Sequence, residues 1–192
     1  MSKLNIPVLL GTTREQRKSI HVAKYLVEVG KQRGDVETFL VDPKDFKFEG
    51  DGNDPEGKDP RYGEITAKAD GFMIVVPEYN HSFPGSLKRM LDSELKNYIH
   101  KPVGMSGVSS GRFSGVRAME HLTPVLRQLG LVVSFADIHV ANSYDAFDDD
   151  GKMSKETAEH LPKAVEKGWD ELVWLAQTLK HGRENLPNIH HE

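Results

Sequence analysis

Apolar residues fall into short unbroken runs, and between the runs they recur every three or four positions. Leu4 to Leu10 is the first run and ends at Gly11. After a polar stretch from Thr12 to Ser19, the residues Ile20, Ala23, Leu26 or Val27, and Gly30 return at helical spacing. A buried strand followed by an amphipathic helix is the reading, with Ser19 as the helix N-cap. Gly34 closes that helix, and Val36 to Val41 forms a second strand. A short helix over about 63–69 leads to a third strand at Phe72 to Val76. Pro84 suits the first position of a helix, because its missing N–H would be unpaired there anyway. That helix turns Leu87, Met90 or Leu91, and Leu95 inward. Val103 to Val108 is a fourth strand. The next helix is marked by Val116, Met119, Leu122, Leu126 and Leu129, and Pro124 within it predicts a kink or a restart. Leu131 to Ile138 reads as a fifth strand. A last helix from about Ser154 carries Leu161, Val165, Gly168, Leu172, Leu175 and Leu179.

Strands alternating with helices imply a parallel sheet covered on both faces. The expected fold is a flavodoxin-like three-layer α/β sandwich: a five-stranded parallel sheet in order 2-1-3-4-5 with helices on both faces, built as one domain over 1–192. In that order the loops after strands 1 and 3, residues 11–19 and 77–85, flank the crevice at which such sheets bind ligands. Residues 49–63 form a long irregular stretch, read either as a surface excursion or as a cover for a ligand.

Composition narrows the class. A net charge of −4 and the absence of a basic tract argue against nucleic-acid and membrane partners. No cysteine is present, which removes disulfides, thiolate metal sites and a Cys nucleophile. No run approaches the length of a membrane span, and the first residues lack the apolar core of a signal peptide, so a cytoplasmic protein is expected.

Three loops carry candidate chemistry. In 11–19, Gly11-Thr12-Thr13-Arg14-Glu15-Gln16-Arg17-Lys18-Ser19, a strand meets a helix start, where free N–H groups and the helix dipole favour an anion. Arg14 and Arg17 can fork onto phosphate oxygens. Neither Gly-x-x-x-x-Gly-Lys-Ser/Thr nor Gly-x-Gly-x-x-Gly is present, so one terminal phosphate is favoured over a triphosphate or a pyrophosphate. The alternative is a solvated polar loop. In 77–88, Pro77-Glu78-Tyr79-Asn80-His81-Ser82-Phe83-Pro84-Gly85-Ser86-Leu87-Lys88, stiffening prolines flank a flat, half-apolar surface with polar edges that suits a planar heterocycle. The alternative there is a strand-to-helix turn. In 106–115, glycines allow close backbone approach, Ser109, Ser110 and Gly111 offer donors to a ring edge, and Arg112 can contact that edge or a second substrate. A turn with Ser114 as N-cap is the plainer reading.

These loops resemble those of the NADPH-dependent FMN reductases, a flavodoxin-like group that includes quinone, azo-dye and chromate reductases. The likeness rests on Gly11 to Ser19, Pro77 to Lys88 and the Ser109–Gly111 loop, and extends over roughly 4–180. It implies that Thr12, Arg14 and Ser19 hold the FMN phosphate, that Pro77, Glu78, Tyr79 and Asn80 hold the ribityl and isoalloxazine, and that Ser109 and Gly111 meet the pyrimidine edge. It implies NADPH or NADH as co-substrate, a small-molecule electron acceptor, and a homodimer or homotetramer. Arg89-Met90 stands where relatives often carry Asn-Ala, and His81 and Phe83 fill variable positions.

The acidic stretch from Asp145 to Glu156 lacks the glycine and third ligand of a calcium loop and reads as solvated. His190-His191 reads as a tail pair, and no metal site is expected. The expected activity is transfer of hydride from NAD(P)H through flavin N5 to a quinone, azo compound, free flavin or metal oxyanion. No catalytic side chain is required, since the cofactor does the chemistry. An FMN-binding electron-transfer or redox-responsive module would share all three loops, and a flavin-free scaffold would keep the fold.

Overall fold

A computed structural model describes residues 3–52 and 54–187. Eight short strands appear: β1 (Leu4–Asn5), β2 (Val8–Leu10), β3 (Val36–Glu37), β4 (Leu40–Val41), β5 (Phe72–Pro77), β6 (Pro102–Val108), β7 (Val132–Val133) and β8 (Ile138–Val140). The helices are α1 (Ser19–Gln32), α2 (Pro60–Lys68), α3 (Gly85–Asp92), α4 (Val116–Gln128), α5 (Ser143–Ala146) and α6 (Lys155–Asn185).

All the strand pairs are parallel, and the strand count and order differ from expectation. Instead of five strands in order 2-1-3-4-5, a six-stranded sheet runs β4-β2-β5-β6-β7 with β8 also paired to β6, and β1 and β3 form a separate two-stranded sheet. The breaks have local causes. Pro7 has no N–H to give to the ladder and separates β1 from β2. Leu4 faces Val36 and Val8 faces Leu40, so the same offset resumes beyond the break. The expected fifth strand is interrupted more deeply. Pro102 pairs with Val132 but Ser106 with Ile138, so extra residues are accommodated between β7 and β8. There the amide of Ala136 turns to Ser134 Oγ at 3.2 Å, and Phe135 stands 72% exposed.

The central strands are buried on both faces, which is why they read as unbroken apolar runs. Along β5 the side chains alternate: Met73 and Val75 join a cluster under α1 and α6, while Phe72, Ile74 and Val76 join one under α2, α3 and α4. Val8 and Leu10 point to the first cluster and Leu9 to the second.

Some helix details also depart from expectation. Lys18, not Ser19, is the N-cap of α1, and it makes no side-chain cap bond; Ser19 is the first helical residue and is buried. Leu95 lies beyond the end of α3 and is 47% exposed rather than inward. Pro124 neither ends nor restarts α4, which continues to Gln128. Pro124 has no N–H to give to the Glu120 carbonyl, and both residues lie on the exposed side, where water is at hand. In α6 the buried stripe is Leu161, Val165, Gly168, Trp169, Leu172, Val173 and Ala176, so Leu175 and Leu179 fall at its edge. Trp169 is fully buried against Gly30, where a Cβ would lie 2.8 Å from the indole Cζ2.

A buried polar pair tightens the α2–α4 side. The hydroxyls of Tyr62 and Tyr98 are 2.7 Å apart with neither ring exposed. Burial pushes both phenols well above the ordinary range. The unfolded chain therefore loses these protons near pH ~10 while the folded chain keeps them, so stability falls as pH rises through that value. Urea unfolding at rising pH should show this alkaline loss, and Tyr62→Phe/Tyr98→Phe should show a smaller one. An identical pH slope in the double variant would remove the pair as its source.

Candidate functional site

The site is built where β2, β5 and β6 end side by side. The ladder runs on into the loops: Gly11 N–H donates to Val75 O at 2.9 Å, Glu78 N–H to Val108 O at 2.9 Å, and Ser109 N–H to Val140 O at 3.1 Å. Gly11 has no room for a side chain, since a Cβ would lie 2.6 Å from Val75 O. The three loops thereby converge on one cleft, lined by Arg14, Gln16, Arg17, Lys18 and Ser19 from the first, Pro77, Glu78 and Tyr79 from the second, and Ser109 and Ser110 from the third. Ser143 and Tyr144 of α5 close its far side.

Within the first loop, Thr12 is buried and acts as a strut. Its Oγ1 lies 2.8 Å from the Tyr79 hydroxyl and accepts from Arg14 N–H at 3.2 Å. The cations here separate into two kinds. Arg17 pairs with Asp42 and also donates to Thr12 O at 3.2 Å, so it braces the loop rather than reaching outward as a free fork. Lys18 pairs with Asp149 at 2.6 Å, and Lys44 pairs with Glu15; each lysine holds its carboxyl partner below the usual range. Burial and the neighbouring Lys18 and Lys24 push the His21 imidazole down. Among the described residues, Arg14 has no acidic partner. Its guanidinium sits 5.6 Å from the Tyr79 ring centroid and its side chain is exposed. The backbone N–H groups of Thr13, Glu15 and Gln16 likewise have no acceptor among the described residues.

The second loop turns sharply. Tyr79 N–H donates to Ser82 O at 2.8 Å and Ser82 N–H returns to Tyr79 O at 3.0 Å. Asn80 and His81 between them take φ of 49° and 66°. Asn and His are both among the side chains found in the left-handed region, which suits this turn. Asn80 lies exposed at the tip and does not line the cleft, whereas Pro77, Glu78 and Tyr79 do. The Glu78 side chain is 7% exposed and faces Arg117 at 3.0 Å as a charge pair. Its Oε2 is buried without a hydrogen-bond partner. Arg117 also reaches His81 Nε2 at 2.7 Å, and His121 Nδ1 lies 3.2 Å from Ser82 Oγ.

In the third loop, Ser109 Oγ donates to Gly111 O at 2.7 Å. No atom lies within 4 Å of where a Gly111 Cβ would stand, so the loop's backbone faces open space there. Ser114 and Gly115 follow with φ of 55° and 78°, and Gly115, not Ser114, is the N-cap of α4.

Two features escaped sequence reasoning. Ser143 and Tyr144 line the cleft although no motif marks them. Arg89 pins the 49–57 stretch, donating to Gly52 O at 2.9 Å, to Gly57 O at 2.7 Å, and to Glu49 O. The stretch is therefore held at several points rather than being a free excursion. His190 and His191 lie outside the described residues.

A strand-end cleft on a parallel sheet between two helical layers defines a flavodoxin-like α/β protein. The sequence profile of the NADPH-dependent FMN reductases matches residues 4–145, and the chain belongs to that family. A quinone reductase of Escherichia coli (strain K12) is 32% identical over 139 residues, covering 68% of this chain and 73% of that protein. A NAD(P)H-dependent FMN reductase of Pseudomonas aeruginosa is 30% identical over 106 residues, 53% of this chain and 57% of that protein, so the chain matches little more than half of that relative's length. Among solved structures, FerB, a flavoenzyme NAD(P)H:(acceptor) oxidoreductase from Paracoccus denitrificans, superposes with a TM-score of 0.72 at 22% identity, over 91% of this chain and 98% of that one.

The strut role of Thr12 has a measurable consequence. Thr12→Val should destabilise the protein by about 1–2 kcal/mol, because the Tyr79 hydroxyl and Arg14 N–H lose a partner. Thr12→Ser should retain most of the stability. Equal unfolding midpoints for the parent and the valine variant would show that the hydroxyl does not tie the two loops.

Proposed function

We propose that the chain is an FMN-dependent NAD(P)H oxidoreductase that passes electrons to a small-molecule acceptor such as a quinone, azo compound, free flavin or metal oxyanion. The observation that supports it most is the set of open donors on the first loop. Arg14 and three unpaired backbone N–H groups gather there, beside a helix start, while the neighbouring cations are already neutralised. That donor set fits one terminal phosphate. The open backbone at Gly111 and the Tyr79 ring fit a flat heterocycle extending from it.

On this reading Arg14 and Ser19 hold the phosphate end, and the buried Thr12 braces the loop that carries them. Pro77, Glu78 and Tyr79 shape the sugar and ring side, with Asn80 at the tip of the same turn, and Ser109 and Gly111 meet the ring's polar edge. When bound, FMN supplies the two-electron chemistry that links a reduced nicotinamide to the acceptor. The side chains position the ring and exclude water from one side of it. None is needed as a nucleophile or general base. A homodimer or homotetramer in the cytoplasm completes the proposal; the lack of cysteine is compatible with a reducing compartment. Among the described residues, no helix is long and apolar enough to cross a membrane.

Two measurements test this. FMN-loaded protein mixed anaerobically with NADPH should lose its visible flavin absorption quickly and regain it on addition of a quinone. Bound flavin that NADPH leaves unbleached would make the protein an electron-transfer module instead, and failure to bind flavin would overturn both readings. Arg14→Ala should weaken FMN binding by about 1.5–3 kcal/mol, the scale of a hydrogen bond to a charged group, without lowering the unfolding midpoint. Unchanged FMN affinity would remove Arg14 from the phosphate site.

A further inference from the structure

Beyond the cleft the third loop carries an exposed ring and a cation with no counter-charge. Phe113 is 56% exposed, large for an aromatic on a loop that is otherwise tied down. Arg112 and Arg117 place their guanidinium carbons 5.5 and 4.9 Å from its centroid. The two arginines are not equivalent. Arg117 is committed to Glu78 and to His81 Nε2. Arg112 is exposed and has no acidic partner among the described residues. Glu78 offsets one guanidinium, and one positive charge is left over at the ring.

The loop that presents this pair is fixed. Asn142 N–H donates to Gly111 O at 3.4 Å, Ser109 Oγ closes onto the same carbonyl, and just after Phe113 the left-handed Ser114 and Gly115 turn the chain into α4, with Val116 N–H on Phe113 O at 3.0 Å. Arg112 and Phe113 are separated only by Gly111 from Ser109 and Ser110, which line the cleft. On the opposite side, His81 sits on the turn of the second loop and is joined to this one through Arg117.

We infer that Arg112 and Phe113 form an acceptor subsite for an aromatic anion, a flat ring bearing a sulfonate, carboxylate or phenolate. Phe113 offers a face for stacking and Arg112 a fork for the anionic group. The inference rests on the oxidoreductase reading and deepens it, by naming the chemical class of acceptor that this chain discriminates.

The test is equilibrium titration of FMN-loaded protein with two matched probes, 1,4-naphthoquinone and 1,4-naphthoquinone-2-sulfonate, by calorimetry without NADPH. Arg112→Gln should lower the sulfonate-to-quinone affinity ratio by about tenfold, the usual worth of a charge-assisted contact, and rising salt should erase the parent's preference. Phe113→Leu should weaken both probes and leave their ratio intact. A ratio unchanged in Arg112→Gln would overturn the assignment. So would a ratio unchanged while the KM for NADPH rises relative to NADH, because Arg112 would then serve the dinucleotide. If NADPH fails to bleach the flavin, the oxidoreductase reading falls, and the titration still decides the subsite.

Discussion

The site depends on the close approach of the ends of β2 and β5 at Gly11. With its N–H on Val75 O and no space for a Cβ, Gly11 lets the first loop leave the sheet flush against the second. The Thr12–Tyr79 bond then forms one residue later, and Ser86 Oγ reaches Gly11 O at 3.4 Å from the start of α3. Parallel strands ending in register do the rest, since β2, β5 and β6 deliver their loops to one edge with nothing between them. Any side chain at Gly11 would have to push β5 away and would open the cleft that the loops form.

Electrostatics then sorts residues of one type into different roles. Four cations lie around the first loop, and Arg17, Lys18 and Lys44 each have a carboxylate. The Arg17–Asp42 pair is mostly shielded from water and ties the loop to the segment after β4, so it counts as a brace. The exposed Lys18–Asp149 pair contributes little to stability. Its effect is to lower the net charge that an incoming anion meets. Arg14 is left as the cation that a phosphate can neutralise.

Much of this was legible in the sequence, and the failures share a cause. The unbroken apolar run at 72–76 identified a strand buried on both faces, and its position put the loop that follows at the cleft, where Pro77, Glu78 and Tyr79 lie and Asn80 does not. The Leu131 to Ile138 run looks the same by composition, yet it breaks at Ser134 to Asp137. A side-chain acceptor at Ser134 and the exposed Phe135 there replace ladder bonds, and only the register of β6 reveals it. Arg14 and Arg17 are indistinguishable by type; Asp42, far along the chain, separates them. The pinning of 49–57 by Arg89 is equally distant in sequence. Local pattern reports periodicity and turn chemistry, and long-range partners leave no mark on it.

The second and third loops are coupled through a single side chain. Arg117 faces Glu78 as a counter-charge and reaches His81 Nε2, so the turn at Asn80 and His81, with its two left-handed residues, is held in place from α4. Moving Arg117 would leave the buried Glu78 carboxylate without its counter-charge, a cost that grows with burial. The same commitment prevents Arg117 from meeting an incoming anion without giving up Glu78. Arg112, five residues earlier and bound by no such obligation, is therefore the group on this rim whose charge is available, and the buried carboxylate of Glu78 is what makes the two arginines different.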